Sequence, residues 1–293
     1  MFPPRKEEEM EVVIAQNAGF CAGVDFAVKQ ANELLEKESI YCLGEIVHNE
    51  QVIQTLEKKG MITVSDLEEV PNQASVIFRL HGEPPATYQK AERKGLKIQD
   101  LTCGNVKAIH SKVQKAKETS FILIIGLKNH PEIIGTLGFA GQNASIIETE
   151  DDILDAYIEY EKTNLGKIYV VSQTTFSSQK FDDLAEEIQK NFCEAEVIID
   201  KTICNSTENR QLETMKIAKN SDIMLIVGGK KSSNTRKLFE IANKYCKRVH
   251  YLQTVKDMEQ IPFKPIDKVG IMAGASTPKS LIEEIKTELE RKF

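Results

Sequence analysis

The 293-residue chain has no CxxC pair, no GxGxxG after its first strand, no P-loop, no long apolar run and no excess of basic charge. Each absence removes a class of function. Without close cysteine pairs there is no zinc ribbon or finger, and six cysteines in a chain of this size do not make a disulfide framework. Any metal site must be assembled from distant parts of the chain. Without a nucleotide motif, neither nicotinamide nor ATP use is indicated, so electrons would come from a protein donor or another external reductant. No stretch approaches the roughly 18 apolar residues of a membrane span. With 38 Lys+Arg against 44 Asp+Glu, there is no basic face for bulk nucleic-acid binding. The opening MFPPRKEEEM lacks the apolar segment of a secretory signal, and Met10 is a candidate working start with residues 1–9 as an extension. The expected compartment is the cytoplasm.

What is present is ample material for a core, with 41% hydrophobic residues, which argues against disorder. Short β-branched runs alternate with amphipathic helical stretches, the pattern of βα units around parallel sheets. Twelve strands are predicted, at 11–15, 39–47, 61–64, 75–80, 96–101, 121–126, 144–149, 167–172, 196–200, 222–228, 248–252 and 268–274.

The segments after these strands repeat with a period of four. The first kind ends in a small polar cluster: His48-Asn49, Asn129-His130, Ser232-Ser233-Asn234. The second leads into an acidic connection: SDLEEVP, ETEDDILD, QTVKDMEQIP. The third ends in a polar turn: RLHGEPPATY, SQTTFSSQKF, AGASTPKSLI. The fourth ends in a cysteine: LTCGN, TICNS and, at the N-terminus, GFCAG. Length alone suggests about two domains, but self-similarity takes precedence. The chain is expected to be α/β, with three lobes related by a pseudo-threefold axis, each a four-stranded, mostly parallel sheet flanked by helices. Lobe one covers 22–103, lobe two 104–200, and lobe three 201–293, completed by the N-terminal strand at 10–21.

Ligands of open parallel sheets bind beyond the carboxyl ends of the strands, and the unusual polar residues fall there. Cys21, Cys103 and Cys204 each stand between a strand and a helix start, where free N–H groups and partial positive charge favour a thiolate. Three thiolates suit a closed Cys₃His zinc site or a 4Fe-4S cluster, which normally takes four. With three, one iron lacks a protein ligand and can bind substrate. The ring of His, Ser, Thr and Asn favours the second option. Cys42, Cys193 and Cys246 read as structural.

His48, His81, His130, Ser232, Ser233, Asn234 and Ser276 form a set of donors suited to a diphosphate. His110 and His250 are not assigned. Thr277-Pro278 resembles a helix N-cap followed by a first-turn proline. Reductive removal of a hydroxyl needs a proton donor, and Glu132 is the candidate, with Thr174 able to relay a proton or hold the hydroxyl. An ordinary first-turn glutamate fits Glu132's position equally. Glu45 and Glu83 are weaker candidates.

Several motifs together resemble one family. They are GFCAGVDFAV at 19–28, GEIVHN at 44–49, HGEPP at 81–85, LTCGNV at 101–106, HPEIIGT at 130–136, SQTT at 172–175, ICNST at 203–207, SSNT at 232–235 and AGAS at 273–276. The chain looks like a 4-hydroxy-3-methylbut-2-enyl diphosphate reductase, the last enzyme of the methylerythritol phosphate route to isoprenoids. The resemblance implies three lobes around a 4Fe-4S cluster held by Cys21, Cys103 and Cys204. It implies diphosphate binding by His48, His81, His130, Ser232, Ser233, Asn234 and Ser276, substrate contact by Thr174, and proton donation by Glu132. It implies an allylic diphosphate substrate, isopentenyl and dimethylallyl diphosphate as products, and reduced ferredoxin or flavodoxin as electron donor. Nucleic-acid and membrane partners are not expected. One departure is Gly104, where the family commonly has proline, which loosens the turn after Cys103. Two other readings remain open at this stage. One is a non-redox cluster enzyme resembling quinolinate synthase; the other is an iron–sulfur sensor or zinc-stabilised binding protein.

Overall fold

The computed structural model describes residues 10–292, so the reading of residues 1–9 as an extension lies outside the described residues. Among these described residues there are twelve strands, all paired in parallel. They are β1 Glu11–Ile14, β2 Ile40–Leu43, β3 Met61–Val64, β4 Ser75–Phe78, β5 Lys97–Asp100 and β6 Phe121–Ile125, then β7 Ala144–Ile147, β8 Lys167–Ser172, β9 Glu196–Ile199, β10 Ile223–Val227, β11 Val249–Leu252 and β12 Lys268–Ala273. Among the described residues nine α-helices lie between strands and a tenth follows the last: α1 Ala22–Leu35, α2 Glu50–Glu57, α3 Pro85–Arg93, α4 Gly104–Ala116, α5 Pro131–Ala140, α6 Asp151–Glu161, α7 Ser178–Asn191, α8 Asn205–Ala218, α9 Ser233–Tyr245 and α10 Lys279–Lys292.

The strands form three four-stranded sheets, β3-β2-β4-β5, β7-β6-β8-β9 and β11-β10-β12-β1. Within each set of four the order is second, first, third, fourth. The last sheet takes its fourth strand from the N-terminus, with Glu11 paired to Lys268 and Ile14 to Ile271. Two compact units result. One contains the residues up to Ala22, His48–Val52 and those from Asn205 onward; the other contains Gly23–Val47 and Ile53–Cys204. The first holds the sheet ending in β1, and the second holds the other two.

The apolar runs mark the central strands. β6 (FILII) and β10 (IMLIV) are buried at every position. A parallel strand covered on both faces has no solvent side, so its sequence is continuously apolar. Each such side chain contributes roughly 1.5–3 kcal/mol through burial. The strand expected at 39–47 is shorter, because Gly44 turns the chain with φ 73°. That left-handed conformation costs a residue with a Cβ but not glycine.

The acidic connections are explained by one repeated hydrogen-bond pattern. Glu69 accepts from the N–H groups of Ser65 and Asp66, both at 2.9 Å. Asp152 accepts from Glu148 and Thr149, both at 2.8 Å. Asp257 accepts from Gln253 at 2.7 Å and Thr254 at 2.8 Å. In each case a carboxylate satisfies two donors left open where a strand ends and a helical turn begins. Among the described residues no helix is long and apolar enough to cross a membrane.

Candidate active site

The strand order reverses between the first and third strands of each sheet, which is where open α/β sheets form ligand crevices. The polar residues singled out from the sequence follow those two strands. His48 follows β2 and His81 follows β4; His130 follows β6 and Thr174 follows β8; Ser232, Ser233 and Asn234 follow β10, and Ser276 follows β12. The cysteines follow the fourth strands. Cys21, Cys103 and Cys204 are the residues immediately before α1, α4 and α8.

Each of these cysteines is tied down in the same way. The Cys21 N–H donates to the Ala275 carbonyl at 3.1 Å, Cys103 to Leu80 at 3.0 Å and Cys204 to Thr174 at 3.0 Å. Every acceptor is the second residue beyond the third strand of its sheet. All three are outside any disulfide and partly exposed. Soft sulfur donors at the positive ends of helices suit an iron–sulfur centre. The other cysteines have different surroundings. Burial pushes the Cys42 thiol up to about 12, and its S–H donates to the Gly44 carbonyl. Cys246 is buried against backbone carbonyls, and Cys193 is exposed beyond α7.

In the unit with two sheets, the second residue of α5 is Glu132, only 2% exposed. Thr174 grips its carboxyl group at both oxygens: the backbone N–H donates at 2.5 Å and the hydroxyl at 2.7 Å. Burial nevertheless wins, raising the group from its ordinary 4.5 to about 7, with the Thr174 bonds pulling the other way. A carboxyl with that affinity can hold a proton at neutral pH and release it. His130 caps α5, its Nδ1 accepting from the Glu132 N–H at 3.2 Å. In the neutral ring that puts the proton on Nε2. The His81 and His130 rings meet edge to face, with centroids 5.4 Å apart.

The other unit carries the hydroxyl and amide donors. Ser232 caps α9, accepting from the Thr235 N–H at 3.2 Å. Asn234, in the first turn, is 4% exposed, and both its amide nitrogen and oxygen lack a hydrogen-bond partner among the described residues. Burying both groups unmet is costly to the fold. Ser276 Oγ reaches the His48 carbonyl at 3.4 Å. Gly229 lets the β10 turn approach that carbonyl, because a Cβ there would lie 2.3 Å from the His48 oxygen.

One expectation did not hold in detail, and the residues left unassigned or weaker have partners of their own. The Thr277 hydroxyl donates to the Val227 carbonyl at 3.0 Å, and α10 begins only at Lys279. Thr277 thus holds the end of β10 instead of capping the helix. His110 is buried on α4, stacked on Phe139 with centroids 4.2 Å apart. Burial lowers it to about 4, the behaviour of a packing residue. His250 lies in β11. Glu83 is occupied with Arg79 at 3.1 Å.

Other residues near the site went unread in the sequence. Glu213 accepts from the N–H groups of Gln16 and Asn17, at 2.7 and 2.9 Å. Arg210 donates to the Gly19 carbonyl at 2.7 Å. Together they fasten the loop leading to Cys21 onto α8. The available signal was a pair of opposite charges three residues apart on the inward face of a helix.

The sequence model of the family described as LytB protein matches residues 12–290. A 4-hydroxy-3-methylbut-2-enyl diphosphate reductase of Aquifex aeolicus is 38% identical over 287 residues, covering 96% of both chains. The enzyme of the same name from Clostridioides difficile is 37% identical over 284 residues, covering 96% of this chain and 99% of its own. Among solved structures, the E-1-hydroxy-2-methyl-but-2-enyl-4-diphosphate reductase of Plasmodium falciparum is similar with a TM-score of 0.86 at 33% identity, covering 96% of this chain and 88% of that one. A second, described as (E)-4-hydroxy-3-methyl-but-2-enyl diphosphate reductase, the terminal enzyme of the non-mevalonate pathway, has a TM-score of 0.70 at 38% identity, covering 96% and 99%.

Proposed function

The chain belongs to the LytB protein family of 4-hydroxy-3-methylbut-2-enyl diphosphate reductases, and from that premise we propose its reaction and the roles of its residues. The reaction is reductive dehydroxylation of (E)-4-hydroxy-3-methylbut-2-enyl diphosphate. The C4–O bond breaks, two electrons and two protons are consumed, and water leaves with isopentenyl or dimethylallyl diphosphate. The electrons come from a small external donor of the ferredoxin or flavodoxin type.

The cofactor is a 4Fe-4S cluster on Cys21, Cys103 and Cys204. When bound it supplies electrons and a Lewis-acidic iron with no protein ligand. Three cysteines outside any disulfide, in matching helix-start positions, support that assignment. His48, His81, His130, Ser232, Ser233, Asn234 and Ser276 bind the diphosphate. The unmet amide of Asn234 and the Nε2 proton of His130 are the kinds of donor a phosphate oxygen accepts from.

The observation that carries the reading is the link Cys204–Thr174–Glu132. The Thr174 carbonyl accepts from Cys204, while its N–H and hydroxyl hold the Glu132 carboxyl group. One residue thus fixes the proposed proton donor relative to a proposed ligand. Glu132 delivers the proton that turns the leaving hydroxyl into water, and Thr174 keeps its carboxyl group oriented. Burial keeps bulk water away and holds the proton in place near pH 7.

The test is an anaerobic assay of cluster-reconstituted protein with reduced viologen. Substrate-dependent dye oxidation with both five-carbon diphosphates as products is expected. No oxidation by protein carrying full iron and sulfide would reject the reading.

A further inference from the structure

We propose that Asn105 tunes the cluster's reduction potential through a hydrogen bond to the sulfur of Cys204, an inference that rests on the reading of Cys204 as a ligand. Asn105 Nδ2 lies 3.0 Å from Cys204 Sγ, across 99 positions of sequence. Both residues belong to the same compact unit. A thiolate has only lone pairs to offer, so the amide must present its N–H side to the sulfur and not its carbonyl oxygen.

The arrangement follows from the start of α4. Cys103 occupies the N-cap position and makes no side-chain capping bond. Gly104 is the first helical residue, and a Cβ there would meet nothing within 4 Å. Asn105 is the second. Asparagine near a helix start ordinarily turns its side chain back on the local backbone. Here its amide nitrogen reaches instead to a cysteine at the start of another helix.

An N–H donor on a ligand sulfur draws electron density from it. The reduced cluster carries more negative charge than the oxidised one, so it gains more from that donor. Hydrogen bonds to cluster sulfurs are among the determinants of potential, and residues around the ligands tune a metal centre without touching it. Asn105 therefore shifts the equilibrium towards the reduced state. It is a positioning and tuning residue, not a ligand. Its exposure makes two removals of the donor tolerable to the fold. Asn105→Leu deletes it at similar size, and Asn105→Asp keeps the shape while replacing the donor by a carboxylate.

The experiment reconstitutes the wild-type full chain and both variants anaerobically. Iron and sulfide are counted, and the midpoint potential is followed by spectroscopically monitored redox titration. Both variants are expected to carry full clusters. In Asn105→Leu the reduced form should be disfavoured about tenfold, a downward shift of about 59 mV for a one-electron couple. Asn105→Asp should move further in the same direction. Potentials equal to wild type in fully loaded variants overturn the proposal and leave the cluster assignment standing. Variants that fail to load beside a loaded wild type also overturn it, since Asn105 would then serve assembly. A wild type that takes up no iron and sulfide overturns the underlying reading itself.

Discussion

Thr174 holds both oxygens of the Glu132 carboxyl group with its own N–H and hydroxyl, while its carbonyl receives the N–H of Cys204. Residues 42 and 30 positions away are thus fastened to one residue just beyond β8. The carboxyl group is stabilised as an anion by two donors and destabilised by nearly complete burial. Their balance sets its proton affinity close to neutrality.

Glu132→Gln should keep cluster and substrate binding and lose most turnover. Its stability should differ from wild type in a pH-dependent way. The wild-type carboxyl titrates at 4.5 when unfolded and at about 7 when folded. The native state therefore binds the proton more tightly, and its advantage, present in full below pH 4.5, is lost as pH rises through about 7. That amounts to on the order of 3 kcal/mol. Melting temperatures from pH 4 to 8 should show the glutamine variant gaining on wild type across that window. Parallel curves would refute the buried titration.

Thr174→Val removes the hydroxyl donor but not the N–H. A hydrogen bond to a charged group is worth about 1.5–3 kcal/mol, so Glu132 should rise further by about one to two units. A proton donor is active when protonated. The alkaline limb of the pH–rate profile should therefore move upward by about that much, with turnover reduced roughly tenfold. An unmoved limb would dissociate Thr174 from the proton.

Cys103→Ser should lose iron, sulfide and activity together. Cys193→Ser, altering an exposed thiol beyond α7, should lose none of them. Colorimetric iron and sulfide determinations on the two purified variants decide the matter.

Asn234→Leu should have opposite effects on stability and binding. It removes two unmet polar groups from a buried position, a gain of about 1–3 kcal/mol for the ligand-free fold. The ligand-free melting temperature should rise, while calorimetric affinity for inorganic diphosphate falls at least tenfold. A drop in both would mean that the amide serves the fold.

Much of the architecture was legible because it depends on short-range pattern. FILII and IMLIV announce buried parallel strands, and the three lone cysteines announce equivalent helix starts. What escaped depends on partners far away in sequence. Nothing local to Asn105 points to Cys204, and nothing local to Glu213 points to the N–H groups of Gln16 and Asn17. Thr277 had the local pattern of a cap, but the Val227 carbonyl competed for its hydroxyl. The proton affinity of Glu132 was illegible for a related reason. Spacing can put a glutamate in the first turn of a helix, but only the packed surroundings determine how much water it loses.

The pairing of β1 with β12 imposes an order on biogenesis. Of the twelve strands, a ribosome makes β1 first and its neighbour β12 last. The sheets of β2–β5 and β6–β9 are each drawn from one continuous stretch, so they can close while synthesis continues. The Cys21 loop has no such option, since its amide anchors to Ala275 and its sheet neighbour is β12. The Cys21 loop is therefore fastened only after β12 has been made, whereas Cys103 and Cys204 find their anchors, Leu80 and Thr174, already behind them in the chain.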